Sequence, residues 1–134
     1  MVCVHCGAKT RVLNSRWQRR SNQIWRRRKC LKCGSVFTTE EIASYGAAWV
    51  VRGKNGPSVP FSRDKLFLSL YKSCQHRQTA LEDAGALTDT IINKLVSHVH
   101  NGVIDSATMA QVVRVALNRF DGVASVHYQA FHGG

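Results

Sequence analysis

Cys3, Cys6, Cys30 and Cys33 form two Cys-x-x-Cys pairs separated by twenty-three residues. Two residues between thiols let one tight turn aim both sulfurs at a single ion, and two such turns complete the tetrahedron that zinc prefers. Gly7 and Gly34 each follow the second cysteine of a pair, where a knuckle turn needs a positive φ. Two disulfides, or four unrelated thiols, are the competing readings; the duplicated spacing favours a metal. Four thiolates fill every position on the ion, whereas a hydrolytic zinc keeps one open, so the expected ion is one structural Zn(2+). His5 lies inside the first pair and is expected to point outward. The fifth cysteine, Cys74, has no partner outside the pairs, and the absence of a recognisable signal peptide fits a reducing cytoplasm.

Positioning these thiols falls to a segment too short to build a core unaided, for which a bound metal is the usual staple. The residues from Arg11 to Trp25 read as two strands around a polar turn near Arg20–Asn22, the run Trp25–Cys30 then enters the second knuckle, and Val36–Glu41 reads as a closing strand and turn. Alternation along a strand places Arg26 and Arg28 on one face and Arg27 and Lys29 on the other. Guanidinium forks at such positions reach phosphates or a guanine edge. Trp17 and Trp25 are expected to pack as apolar cover, with stacking on a base or sugar as the alternative.

The charge is uneven along the chain. Of 19 Lys/Arg and 8 Asp/Glu in 134 residues, residues 1–41 hold ten cations and two acids, a net +8. Residues 42–134 hold nine cations and six acids, a net +3. A short basic module followed by a nearly balanced one points to a polyanionic partner, nucleic acid before membrane. No apolar run approaches the roughly 18 residues of a membrane span.

Residues 42–48 read as a linker. Trp49–Val51 and Ser58–Phe61 form the arms of a β-hairpin around Gly53–Pro57. Its Gly-Lys-Asn-Gly is not a Walker loop, which requires different spacing and a Lys-Ser/Thr before a helix. The period then becomes helical. Ser62 caps a helix with Leu66, Phe67, Leu70, Tyr71 and Cys74 on one face, which makes Cys74 a core residue. Leu87–Val99 marks a second helix broken by Gly102. Asp105 or Ser106 caps a third, with Met109, Val112, Val113, Ala116, Leu117 and Phe120 inward, and a short final helix carries Val123 to Phe131. The expected class is α+β: a ribbon over 1–41, a linker, and a hairpin on a small helical bundle over 49–134.

The order of these motifs resembles the bacterial NrdR family, transcriptional repressors of ribonucleotide reductase genes. The resemblance is carried by the four cysteines with Asn14-Ser15-Arg16, Arg26-Arg27-Arg28-Lys29-Cys30 and Phe37-Thr38-Thr39-Glu40. It continues through Val50-Val51-Arg52, Pro60-Phe61, Lys65-Leu66 and Phe120-Asp121-Gly122-Val123-Ala124. It implies a zinc ribbon binding double-stranded operator DNA, with Arg11, Ser15, Arg16, Arg26, Arg27, Arg28 and Lys29 as contact residues. It also implies an ATP-cone, a β-hairpin on a four-helix bundle that binds ATP or dATP and sets the state of a homo-oligomer. Val51, Arg52, Lys54, Lys65 and Tyr128 fall at or near its nucleotide positions. A cytoplasmic protein, nucleoid-associated when on DNA, is implied with it.

The sequence departs from the family pattern at several points. Asn14 stands where Asp is usual, Val59 where Glu is usual and His127 where Arg is common; the hairpin carries one extra residue between Arg52 and Phe61; and fewer residues follow Phe131 than the family's C-terminal tail would need. These differences bear on nucleotide choice and leave the cysteines and the basic strand intact. The alternative function is an RNA-binding ribbon with a helical interaction module. An enzyme lacks support, since no open metal site, paired acid and base, or phosphate-hydrolysis motif is present.

Overall fold

The computed structural model describes residues 1–132. The chain is α+β and divides into two compact units, Met1–Ala43 and Ser44 onward. In the first unit β1 (Thr10–Gln18), β2 (Gln23–Cys30) and β3 (Val36–Ile42) form an antiparallel sheet in the order β1-β2-β3. The β1–β2 turn includes Asn22 at φ 49°, a left-handed position that Asn tolerates better than most residues. Of the hydrophobic residues in this unit only Cys3 and Cys30 are buried. The sheet therefore has no apolar core. Trp17 is 61% and Trp25 41% exposed, so the expectation that they serve as apolar cover is corrected: a sheet that buries no large apolar side chain has no interior to put them in.

The second unit begins with a helical turn, α1 (Tyr45–Ala48), inside the stretch read as a linker. Tyr45 lies 4.4 Å from the Trp49 ring, and Trp49 meets Phe61 edge-on at 5.4 Å. The hairpin follows as β4 (Val50–Arg52) and β5 (Ser58–Pro60). Next come α2 (Arg63–Ser73) and α3 (Ala80–Leu95), then a 3-10 turn at Val96–His98. A strand absent from the sequence reading, β6 (Val103–Asp105), pairs parallel to β4 and buries Ile104. The order in this sheet is β5-β4-β6. Gly102, at φ +76°, sits so close to the Ala48 carbonyl that a Cβ would meet it at 2.8 Å, and its own carbonyl accepts from Val50 N at 2.7 Å.

α4 (Ser106–Phe120) and α5 (Gly122–His132) complete a four-helix array with α2 and α3. The core joins Leu70, Cys74, Ile91, Leu95, Val113 and Leu117, each fully buried, to the hairpin's Val51 and Phe61. Ser62 Oγ accepts from Lys65 N at 3.2 Å, the expected cap of α2. Three details differ from the sequence reading. The second helix starts at Ala80, and Val99 lies beyond it in extended backbone. Phe120 is 38% exposed, lying under the Arg77 guanidinium at 4.6 Å. Asp105 makes no side-chain cap, because its carboxylate pairs with Arg52 at 2.9 Å.

Asp121, between α4 and α5, ties that junction to the α2–α3 connection. Its Oδ1 accepts from Val123 N and Ala124 N, at 2.8 and 3.1 Å, capping α5. Its Oδ2 takes His76 Nε2 at 3.1 Å and Arg77 at 2.9 Å, while Arg77 also reaches Asp83 at 2.8 Å. His127 stacks edge-on against His76 at 5.1 Å. The His76 contact first, then the Ala124 amide and Arg77, hold the Asp121 carboxyl well below the usual carboxylate range. A depressed carboxylate adds stability above the unfolded value near 4, and that stability is lost as pH falls below it. Asp121→Asn should therefore lower the melting temperature of the second unit by several degrees at pH 7. The gap between variant and wild type should narrow as pH falls from about 5 to 3, without closing there, because the folded carboxylate is still ionised at pH 3. A gap that is unchanged at pH 3 contradicts the charge-based part of this account.

Candidate functional site

The two cysteine knuckles are built alike. Cys3 N donates to Ala8 O at 2.7 Å, and Cys30 N donates to Ser35 O at 2.9 Å. Gly7 and Gly34 take φ +78° and +76°, the left-handed turn expected after each pair. In each knuckle the first cysteine is buried and the second exposed. Backbone amides point at the buried sulfurs: His5 N donates to Cys3 Sγ at 3.3 Å, and Lys32 N and Cys33 N each donate to Cys30 Sγ at 3.3 Å. The His5 ring is exposed and takes no part.

All four sulfurs lie within 4.8 Å of one another. Cys3 Sγ–Cys33 Sγ is 3.7 Å and Cys6 Sγ–Cys30 Sγ is 3.4 Å. Zinc–sulfur bonds of about 2.3 Å in a tetrahedron place sulfurs roughly 3.8 Å apart, so the cluster has the size of a four-thiolate zinc site. None of the five cysteines is in a disulfide. Protonation also divides the set. The Cys33 amide, followed by that of Lys32, pulls the Cys30 thiol down to about 6. The Ser35 hydroxyl holds Cys33 low. Cys6 is pushed up to about 11: the Ala8 amide favours its thiolate, but the neighbouring sulfurs, Cys30 first, and burial outweigh it. Thiolates this close repel one another, and a divalent cation at their centre offsets that repulsion.

The basic residues sort by strand pairing. Arg11 faces Lys29, Asn14 faces Arg27, Arg16 faces Trp25, and Thr38 faces Arg27 from the other side. Directly paired residues share a sheet face. The register slips between Val12 and Asn14, a β-bulge at Leu13. Without it, Arg11 would lie opposite to Asn14 and Arg16, because one extra residue inverts every side chain beyond it. The bulge thus gathers Arg11, Arg16, Arg27 and Lys29 on one face, all exposed. A shallow groove there is lined by Asn14, Arg16, Trp25, Arg26, Arg27 and Thr38. Ser15, Arg26 and Arg28 occupy the other face. Arg26 is turned to Glu41 at 3.2 Å and Arg28 Nε donates to Thr39 Oγ1 at 3.4 Å. The expected split between Arg26/Arg28 and Arg27/Lys29 is present, and the face of Arg27 carries more unpaired cations.

In the second unit a cavity of about 650 Å³ opens between the hairpin and the helices, a size suited to a small ligand. It brings together Val51, Lys54, Lys65 and Tyr128, four of the five residues singled out from the sequence. Arg52 does not join them; it is exposed and paired with Asp105. Val59, Phe61, Met109 and Val113 supply apolar wall, and Ser106, Arg114 and His132 polar edge. Burial pushes the Tyr128 hydroxyl up, with Arg114 acting the other way. Sequence reasoning missed Arg114. The available signal was its place four residues after Ala110 and three before Leu117, a cation at the margin of an apolar helix face.

Comparisons with known proteins decide the family. Residues 1–41 match the family model described as "Transcriptional repressor NrdR-like, N-terminal domain". The chain is 37% identical over 132 residues to a protein of Symbiobacterium thermophilum named transcriptional repressor NrdR, covering 98% of this chain and 87% of that relative. The chain belongs to the NrdR family. NrdR proteins of Afipia carboxidovorans and Thermosipho melanesiensis are 35% and 33% identical, each over 98% of this chain and over 83% and 87% of their own lengths. A member of a family of transcriptional repressors is a binding protein without turnover, and the four cysteines are those of the NrdR zinc ribbon. Among the described residues no helix is long and apolar enough to cross a membrane.

Proposed function

We propose that this protein is a cytoplasmic, zinc-dependent repressor of ribonucleotide reductase genes that reads operator DNA through the ribbon and adenine nucleotides through the hairpin-and-helix unit. The bulge at Leu13 carries the DNA half of this reading, because it assembles Arg11, Arg16, Arg27 and Lys29 on one exposed sheet face beside Asn14 and Trp25. Phosphate contacts from such a face give most of the affinity, and one or two guanidinium forks on base edges give sequence choice. A single ribbon is a small reader, and an operator needs two or more at helical-turn spacing. Oligomerisation follows from that requirement.

The second unit is read as an ATP-cone. Lys54 and Lys65 at the mouth of the 650 Å³ cavity suit triphosphate oxygens, and Val51, Phe61 and Tyr128 suit an adenine or ribose. Nucleotide control requires assembly states that differ in both nucleotide affinity and DNA affinity. Sizing of the zinc-loaded protein with ATP, with dATP and with neither, in parallel with binding to promoter fragments of the host's ribonucleotide reductase genes, tests the whole reading. At least one nucleotide should change both mass and DNA affinity. Equal masses and equal DNA binding in all three conditions remove the allosteric claim. Tighter binding to single-stranded RNA than to the duplex would favour an RNA-binding ribbon instead.

A further inference from the structure

We propose that Arg114 is a ligand-contacting residue of the α4–α5 wall and that it makes the cavity select by phosphate count, favouring a nucleoside triphosphate over a diphosphate and over a monophosphate. The proposal deepens the nucleotide reading and rests on it.

Three observations converge. Among the described residues, Arg114 Nε is buried and has no hydrogen-bond partner. A buried guanidinium donor left unmade is destabilising by more than a neutral one, and α4 presents this one at the edge of the 650 Å³ cavity. A second, smaller recess of about 50 Å³ is lined by Ala110, Arg114, Tyr128, Gln129 and His132, so Arg114 lines both open volumes. The third observation is charge. Lys54, Lys65 and Arg114 line the cavity and no Asp or Glu does; Val59, on the hairpin wall, is apolar. Three cations from three elements, with no carboxylate to neutralise them, match a ligand of three or more negative charges. Lys54 and Lys65 are exposed, flexible point charges. Arg114 is half-buried and planar, and its fork suits two oxygens of one phosphate.

The test is calorimetric titration of nucleotide-free, zinc-loaded full-length protein with ATP, ADP, AMP, adenosine and inorganic tripolyphosphate. Wild type, Arg114→Met and Arg114→Lys are compared, and the melting temperature of each variant is recorded. The affinity order should be ATP, then ADP, then AMP in wild type. Arg114→Met should weaken ATP and tripolyphosphate by about tenfold or more, leave adenosine within about twofold, and flatten the ATP-to-ADP ratio. Arg114→Lys should restore part of the loss. Equal weakening of adenosine and ATP, or no change in any ligand, overturns the assignment. If wild type binds ATP and Arg114→Met binds it as well, the nucleotide reading stands and the role of Arg114 falls. If tripolyphosphate binds in an Arg114-dependent way while ATP does not bind, Arg114 is an anion ligand and the nucleotide reading falls. If neither ligand binds wild type, both fall.

Discussion

Replacing Cys30 with Ser should remove stoichiometric zinc, unfold the ribbon and abolish binding to duplex DNA, while the hairpin-and-helix unit keeps its melting transition. The expectation comes from the burial pattern. Between Met1 and Ala43 only Cys3 and Cys30 are buried hydrophobic residues, and the sheet of β1, β2 and β3 leaves Trp17, Trp25, Leu13 and Ile42 in solvent. Three antiparallel strands that bury no large apolar side chain are marginal by themselves. Structural zinc in small ribbons contributes on the order of 10–16 kcal/mol at neutral pH, far more than the unit can gain from apolar burial. Cys30 is the sharper choice over Cys33 because its sulfur also accepts from two backbone amides of the second knuckle. The second unit has its own core, from Leu70 to Leu117, so its transition should stay within a few degrees of wild type. Metal analysis, backbone amide dispersion by NMR, and a DNA titration read the result together. Full zinc content with a folded ribbon in the Cys30→Ser variant would mean that these sulfurs are not what holds the sheet.

The cysteine pairs, the alternation of β2, the Ser62 cap and the inward stripe of α4 are local patterns, each decided within a few residues of sequence and legible there. What is not legible depends on partners far along the chain. The bulge at Leu13 exists only in relation to β2, so nothing in Val12-Leu13-Asn14 alone announces which face Arg11 will share. β6 is three residues long and finds its parallel partner β4 some fifty residues upstream; a run of Val103-Ile104-Asp105 has no period to read. The first turns of α3 carry no readable apolar stripe because Ala80 and Ala84 are buried by small size, not by bulk. Asp105 offers a helix cap in sequence, and the tertiary pairing with Arg52 takes its carboxylate. The same pairing removes Arg52 from the cavity, while α4 brings Arg114 to it. For Arg11, β6, Asp105 and Arg52 the local reading is reasonable and a long-range contact overrides it.

The two faces of the ribbon should differ sharply in their effect on DNA binding. Replacing Arg11, Arg16 and Arg27 together with Ala should weaken operator binding about a hundredfold or more. It should also reduce the slope of log affinity against log salt by about 0.9 for each phosphate that is no longer neutralised. Replacing Arg26 and Arg28 together should change affinity only several-fold and leave the salt slope nearly unaltered. The reason is where each guanidinium goes. Arg26 already has Glu41 at 3.2 Å and Arg28 has Thr39 at 3.4 Å. Bringing Arg26 to a phosphate must first break an exposed ion pair of small net value, and Arg28 must leave its hydroxyl partner. Arg11, Arg16 and Arg27 have no acid to leave, since the described residues give none of them a salt bridge. Their face also holds Trp25 and Asn14 in the groove beside Arg27, which gives a base edge or sugar something to meet once the phosphates are held. Both variants keep all four cysteines, so unchanged zinc content and amide dispersion would show that the ribbon is still folded and that only its grip on DNA has changed. If the Arg26/Arg28 variant instead loses affinity and salt slope as steeply as the triple variant, DNA lies against the opposite face of the sheet and the groove by Arg27 is not the reading surface.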